Sequence, residues 1–458
     1  MSSFSDLPFS EAELANLEQL GFTRMTPIQA QALPPLLEGR DVIAQASTGS
    51  GKTLAFALSL LNRIVPGFFG CQALVLCPTR ELADQVATEI RRLARAQGNV
   101  KGLTLSGGMA MGPQQSSLEH GAHVVVGTPG RVLKHLEKGT LQVRDVNTLV
   151  LDEADRMLDM GFVESIADII NQLPEERQTL LFSATFPPYI QEMADNFMQQ
   201  PLHLVVEKTE DAPAIEQRFY QVKNTARADA VVQALYHFKP ESALVFCFTK
   251  QQCEEVTAAL ENAKISARAL HGDMEQRDRD RTLIQFANKS LRVLVATDVA
   301  ARGLDIENVE LVINAETARD SETHVHRIGR TARAGKTGLA ITFSDPTTEQ
   351  KRLDALEAML GGRLPWHSLV SLKLRGEPAL LPTLATLNIG AGKKDKIRPG
   401  DILGALTGDG GFDGNDIGKI VIHDTQSYVA VAREKAKAML EFVKGGKIKG
   451  KTQRARLL

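Results

Sequence analysis

A chain of 458 residues has room for about three domains of ~150 residues. With 43% hydrophobic and 24% charged residues, it is neither disordered nor fibrous. No run approaches the ~20 apolar residues of a membrane span, and the acidic N-terminus MSSFSDLPFSEAEL is neither a secretory signal nor an Arg-rich transit peptide, so a cytoplasmic protein is expected. The four cysteines, Cys71, Cys77, Cys247 and Cys253, show no CxxC spacing, which argues against a zinc site or a disulfide framework.

In chain order, DVIAQA (41–46), QALVLCP (72–78), HVVVGT (123–128), TLVLDEAD (148–155) and QTLLFSAT (178–185) read as buried strands. Helical patterns lie between them, such as ELADQVATEIRRLARA (81–96), with Leu82, Val86 and Ile90 on one face. Near-continuous apolar strands separated by helices predict a parallel sheet covered on both faces. A polar stretch, VEKTEDAPAIEQ (206–217), reads as a linker. A second α/β series follows, with strands at SALVFCFT (242–249), ARALHGD (267–273), LRVLVATD (291–298), VELVINAE (309–316) and GLAITFSD (338–345). After a connector over 363–382, TLATLNIG (383–390), IGKIVIH (417–423), SYVAVA (427–432) and KTQRARLL (451–458) are short strands. RPGDILGALTG (398–408) and REKAKAMLEFVKG (433–445) read as helices, giving the β-α-β-β-α-β order of a ferredoxin-like module.

Charge divides unevenly over this plan. Leu380 to Leu458 hold 14 Lys+Arg against 8 Asp+Glu, while the first 379 residues hold 39 against 47. A basic terminal module on an acidic body fits the binding of an anion such as RNA. A merely solvated charged surface fits it equally.

ASTGSGKT (46–53) follows a strand and opens the helix TLAFALSLL, the context a phosphate-binding loop requires. Ser47, Thr48, Gly49, Ser50 and Gly51 would bring backbone N–H groups to phosphate oxygens. Lys52 would reach the β/γ-phosphates of ATP, and the Thr53 hydroxyl would hold Mg²⁺. The first position is Ala46 rather than the usual Gly. LVLDEAD (149–155) ends an apolar strand in two carboxylates. Strand alternation assigns them separate tasks: Asp152 suits Mg²⁺, and Glu153 suits polarising the attacking water.

These strings, with DEAD at 152–155, resemble the DEAD-box RNA helicases. The resemblance runs from residue 4 to about 345 and implies two tandem RecA-like parallel-sheet domains, at 1–207 and 208–362. GFTRMTPIQ (21–29) resembles the adenine-reading motif, which implies Gln29 on the base edge and Phe4 stacked on the ring. PTRELADQ (78–85), Gly107–Gly108 and TPGR (128–131) resemble motifs on the RNA backbone. They imply contacts from Pro78, Thr79, Arg80, Gly107, Gly108, Thr128, Gly130 and Arg131. SAT (183–185) resembles the motif that couples hydrolysis to domain closure, through Ser183 and Thr185.

In the second domain, HRIGRTAR (326–333) resembles the arginine-finger motif. It implies Arg330 and Arg333 on the γ-phosphate and a coupling role for His326. TDVAARGLD (297–305) resembles the motif shared between RNA and ATP, implying Thr297 and Asp298 on RNA and Asp305 on the nucleotide. VFCFT (245–249), HGD (271–273) and Gln276–Arg277 imply RNA contacts from Thr249, Gly272 and Arg277. Phe248 stands where Asn is common, Ala332 where Gly is usual and His324 where Tyr is common.

The terminal module (383–458) resembles an RNA-recognition motif, an α+β fold that stacks bases on sheet aromatics. Here TLNIG (386–390) has none and SYVAVA offers only Tyr428. The basic residues lie elsewhere, at Lys393, Lys394, Lys396 and Arg398, and at Lys447, Lys449 and Lys451. The loop GGKKDKIRPGDILGALTG and the tail GKIKGKTQRARLL resemble the specificity domain of a bacterial DEAD-box subfamily. That implies a hairpin of 23S ribosomal RNA as target and a role in large-subunit assembly. A generic phosphate-binding module is the alternative. Two other readings compete with an RNA helicase: a DNA translocase on the same folds, and an assembly factor whose ATP site acts only as a clamp. Intact Lys52, Asp152, Glu153, Arg330 and Arg333 weigh against the clamp. No coiled coil is visible, so a monomer is expected.

Overall fold

The computed structural model describes residues 3–46, 50–183, 185–186, 188–206, 215–301, 306, 309–332, 337–372 and 379–458. Two compact units divide between residues 212 and 213.

The first unit is built on seven parallel strands: β1 (Val42–Gln45), β2 (Ala73–Leu76), β3 (Gly102–Leu105), β4 (Val124–Gly127), β5 (Thr148–Asp152), β6 (Gln178–Ser183) and β7 (Leu202–Val205). Their order is β3-β4-β2-β5-β6-β1-β7. Alternate side chains of one strand enter different cores: Val75 and Val126 pack on one face, Leu74 and Val125 on the other. Burial on both faces is why β2, β4, β5 and β6 read as unbroken apolar runs.

The second unit opens with β8 (Ile215–Gln221), β9 (Ala243–Cys247), β10 (Ala267–Leu270), β11 (Val293–Thr297), β12 (Leu311–Asn314), β13 (Gly338–Ser344) and β14 (Trp366–His367). Their order, β10-β11-β9-β12-β13-β8-β14, repeats that of the first sheet strand for strand. One equivalent bond ties the same two strands in each sheet. Ala46 N–H donates to Ser183 O (3.0 Å), and Val222 N–H donates to Ser344 O (2.8 Å).

Strands β3, β7, β8 and β14 are absent from the sequence reading. The first two are half-exposed edge strands and carry no apolar run. β8 intersperses Glu216 and Arg218 with buried Phe219 and Tyr220. The expected linker 206–217 therefore ends early, because Ile215 to Gln217 pair with β13. The connector is also shorter in structure than in sequence. Trp366–His367 adds to β8, and buried Leu372 and Leu380 join the core of the second sheet.

The C-terminal module follows in the same unit. β15 (Leu384–Ile389), β16 (Ile417–Ile422), β17 (Ser427–Ala432) and β18 (Ala455–Leu457) form an antiparallel sheet in the order β16-β17-β15-β18. Ala385, Leu387 and Ile389 face its helices, so Thr386 and Asn388 face the opposite side. That side is covered by the domain of the second parallel sheet. Thr386 is fully buried: its hydroxyl pairs with Ser290 Oγ (2.6 Å) and accepts from Asn288 Nδ2 (3.3 Å).

His324 is buried against β8, its Nε2–H donating to Gln217 Oε1 (2.8 Å). Burial, with the Arg327 guanidinium nearby, pushes its pKa down to about 4. The neutral ring is favoured in the fold, so its contribution is full above pH ~6.5 and is lost as pH falls toward 4. A gap of this size is worth about 3 kcal/mol. We expect His324→Tyr to flatten this acid loss. Thermal melting of both proteins from pH 7 to 4 tests it, and parallel curves would refute it.

Candidate functional site

The phosphate loop is shaped by backbone that only glycine adopts easily. Gly51 has φ +96° and begins the helix Lys52–Asn62. Lys52 is buried and donates from Nζ to Ala46 O (2.6 Å). Gln29 is tied to the same turn: it donates from Nε2 to Gly51 O (3.0 Å) and accepts at Oε1 from Thr26 N–H (2.9 Å). A Cβ at Gly51 would lie 2.3 Å from Gln29 Nε2. Gly51→Ala should therefore raise the KM for ATP by about tenfold or more, since strain and clash together reach 1–3 kcal/mol. Steady-state kinetics with saturating RNA checks this. Ser47, Thr48 and Gly49 lie outside the described residues.

Strand β5 delivers Asp152, and the chain then turns sharply. Glu153 has φ 52° and ψ 51°, a left-handed conformation that costs an L-residue about 1–2 kcal/mol. This turn separates the two carboxylates; strand alternation does not, because the strand ends at Asp152. Strained non-glycine backbone of this kind clusters at functional sites. Burial, and then the Glu153 charge, push the Asp152 carboxyl up to about 7. Burial also lowers Lys52, opposed by the Asp152 and Glu153 charges. Glu153 Oε2 lies 3.3 Å from Arg156 but, with Ser50 Oγ and Ser183 Oγ, is buried without a hydrogen bond among the described residues. Such a cluster of unfilled oxygens beside Lys52 is suited to a polar ligand carrying both charges.

Asp155 is a candidate functional residue that the sequence reading passed over. Its Oδ2 accepts from both the N–H (3.1 Å) and the hydroxyl (2.9 Å) of Thr185. The carboxylate string is thereby fastened to the coupling string. Its place as the last letter of the DEAD motif was the available signal. Phe4, expected on the adenine ring, is only 3% exposed and belongs to the first core. In this structure its ring is a packing contact.

The expected RNA residues of the first unit gather at the carboxyl ends of β2, β3 and β4. Thr79 caps the helix Arg80–Leu93, accepting from Leu82 N–H (3.3 Å). Thr128 begins the helix Pro129–Glu137 with its hydroxyl unused by the cap. Two helix N-termini thus end adjacent strands, a setting for phosphate oxygens. Pro78 immediately precedes the Thr79 cap. Arg80 donates to Gly107 O (3.4 Å), and Arg131 donates to Gln114 Oε1 (2.8 Å) and Met109 O (2.9 Å). Both arginines therefore hold the glycine loop. A Cβ at Gly107, Gly130 or Gly272 would meet nothing within 4 Å, so the space beside them is open.

In the second unit, Thr249 caps the helix Lys250–Asn262 and is exposed. Arg277 is exposed in the first turn of the helix Gln276–Ala287. Thr297 ends β11 and is buried. Asp298, expected on RNA, is instead gripped by Arg327 through Nε (2.6 Å) and Nη2 (2.7 Å). The pair fixes the helix Ser321–Ile328 to the end of β11. Arg330 is buried, and His326 is half-buried on that same helix. Ala332 has φ +56°, which explains why glycine is usual there. Asp305 and Arg333 lie outside the described residues.

In the C-terminal module, the two basic segments meet. Lys449 Nζ donates to Lys396 O (2.6 Å) and lies 3.5 Å from Asp401. Lys393, Lys394, Arg398, Lys447 and Lys451 stand exposed around that contact.

Residues 26–193 match the DEAD/DEAH box helicase family, 226–335 the helicase conserved C-terminal domain, and 386–457 the DbpA RNA binding domain. The chain is 53% identical over 459 residues to the ATP-dependent RNA helicase DbpA of Escherichia coli, covering 100% of both chains. It is 42% identical over 369 residues to the DEAD-box ATP-dependent RNA helicase CshA of Bacillus cereus, covering 78% of this chain and 70% of that one. Among solved structures, S. cerevisiae Dbp5 bound to RNA and ADP BeF3 aligns with a TM-score of 0.73 and 31% identity, over 81% of this chain and 96% of that one.

Proposed function

Because the chain belongs to the DEAD-box ATP-dependent RNA helicases and is close to DbpA, we propose that it remodels short RNA duplexes beside a hairpin of 23S ribosomal RNA during large-subunit assembly. The observation that carries this reading is the convergence of loop 393–398 and tail 447–451 through Lys449. Their exposed cations form one basic surface on a module whose sheet side is occupied by Ser290 and Asn288. Base stacking on the sheet, already poor in aromatics, is blocked. The hairpin is therefore held by loop and tail.

In the core, Lys52 neutralises the β/γ-phosphates, exchanging its bond to Ala46 O for phosphate oxygens. Thr53 and Asp152 would hold Mg²⁺, since a hydroxyl and a carboxylate are hard oxygen donors and the Asp152 carboxylate is buried within charge reach of Lys52; when bound, the ion would neutralise phosphate charge. Ionised Asp152 is the form that fits this, and the cation favours it. Glu153, whose Oε2 is held by charge and has no hydrogen bond among the described residues, would accept a proton from the attacking water. Arg330 and Arg333 supply positive charge to the γ-phosphate as it leaves. Asp155 and Thr185 transmit the state of the DEAD strand to the RNA-facing side. Single-stranded RNA is held by its backbone through Thr79, Arg80, Thr128, Arg131, Thr249 and Arg277, so the core reads little sequence. The protein acts in the cytoplasm as a monomer, with one helicase domain up to residue 212, a second that runs on through Trp366–His367, Leu372 and Leu380, and a C-terminal module at 383–458.

Steady-state ATP hydrolysis tests the reading, measured with no RNA, with unrelated RNA and with a 23S fragment carrying the peptidyl-transferase hairpin. Strong stimulation by the fragment alone, lost on deleting residues 380–458, is expected. Equal stimulation by every RNA would leave a general RNA helicase with a basic tether.

A further inference from the structure

The identical order of the two sheets gives the ATP site a counterpart in the second unit. By that order, β8 matches β1, β12 matches β5 and β13 matches β6. The bond from Val222 to Ser344 repeats the bond from Ala46 to Ser183. Arg227, first residue of the helix Arg227–Phe238, then stands where Lys52 stands. Glu316, two residues past β12, stands near the place of Glu153. A cavity of about 460 Å³ opens at this point. Its position is the crevice between β9 and β12, whose connections leave in opposite directions. Open α/β sheets bind ligands at such crevices.

The counterpart is not suited to polyphosphate. Arg227 is consumed internally: Nη1 pairs with Glu316 (2.9 Å), and Nη2 pairs with Glu349. The lining carries two cations, Arg227 and Arg352, against three carboxylates, Glu255, Glu316 and Glu349. A polyanion would be repelled. What the wall offers is one aromatic ring, Phe248, with the Arg319 guanidinium 5.2 Å from its centroid beside those of Arg327 and Arg352, and a polar rim. Phe248, where the family commonly has Asn, is half-exposed on the cavity. The Arg352 guanidinium lies 4.9 Å from its ring centroid. Among the described residues, Arg352's hydrogen bond is a long one to Thr317 O (3.4 Å). Arg327, on the same ring at 5.3 Å, is locked by Asp298. The rim adds Gln251 and Glu255. Within the wall, Arg227 Nε is buried with no hydrogen-bond partner among the described residues.

Aromatic and guanidinium planes beside amide and carboxylate groups are how proteins hold unstacked bases. Thr249, read above as a contact to the RNA backbone, lines the same cavity. We propose that this cavity takes one splayed base of the bound RNA strand, stacked against Phe248 and Arg352. The acceptor-rich rim favours a base with an exocyclic amino group. The inference rests on the RNA-backbone role assigned to Thr249. It adds one base-contacting position to a core otherwise read as blind to bases.

The test uses the full chain, a non-hydrolysable ATP analogue and single-stranded RNA carrying 2-aminopurine at successive positions. Fluorescence should fall several-fold at one position and not at its neighbours. Phe248→Asn, and Gln251→Trp at the exposed rim, should each remove that quench. In both, the RNA concentration for half-maximal ATPase should rise about fivefold, as loss of about 1 kcal/mol of stacking requires. RNA bound with no position quenched would overturn the proposal alone. So would a quench unmoved by both variants, or a loss confined to kcat. A Phe248-dependent quench of free 2-aminopurine riboside triphosphate, without one in RNA, would reassign the cavity to a free nucleotide and also overturn it. Failure of the wild-type chain to bind RNA would bring down the parent reading as well.

Discussion

Glu153→Gln should lower RNA-stimulated ATP turnover by roughly 10²–10⁴, the usual contribution of a positioned general base. The amide keeps the size of the side chain, so the left-handed turn at φ 52° can persist. It also relieves the like-charge pressure on Asp152, whose carboxyl sits at about 7 through burial and the Glu153 charge. Nucleotide binding should therefore hold or tighten while hydrolysis fails. The RNA should stay bound in the presence of ATP, because the proposed coupling through Asp155 and Thr185 passes no change to the RNA-facing side while ATP stays intact. Single-turnover hydrolysis and RNA off-rates measured together check this. A variant that hydrolyses ATP within tenfold of wild type would remove Glu153 from the chemistry. One that also loses nucleotide binding would point to a structural role at the turn.

Much of this machinery was legible from residue type and spacing. ASTGSGKT and DEAD sit at the ends of buried strands, and burial makes such strands visible as apolar runs. The edge strands were not legible, because β3 and β7 alternate or expose their residues. The left-handed Glu153 was hidden for another reason: nothing in a glutamate announces positive φ. Polar bonds across long sequence separations were also hidden. Asp155 to Thr185 spans 30 residues and Arg227 to Glu349 spans 122. Only the fold brings such partners together. Asp298 shows the reverse case. Its motif suggested RNA, and Arg327, 29 residues away, claims the carboxylate.

The docking of the C-terminal module yields the second large effect. Thr386 sits fully buried at the contact with Asn288 and Ser290. Asn288 closes the helix whose first turn carries Arg277. That helix therefore joins the RNA contact proposed for the core to the module proposed to grip the hairpin. A fixed geometry of this kind makes the second RNA contact intramolecular, and linkage can raise avidity by 10²–10⁴ without a new contact. Thr386→Arg would place a long charged side chain in a fully buried contact, leaving it unpaired and forcing the two surfaces apart. The loop 393–398 and the tail 447–451 lie outside the contact to Ser290, so hairpin affinity should change little. The hairpin-dependent gain in ATPase efficiency should fall by roughly 10²-fold or more. Hairpin binding by the full-length variant, compared with its RNA-stimulated kcat/KM, separates the two. Equal losses in both would mean that the module had unfolded. Neither lost would mean that the helix ending at Asn288 plays no part in presenting the target.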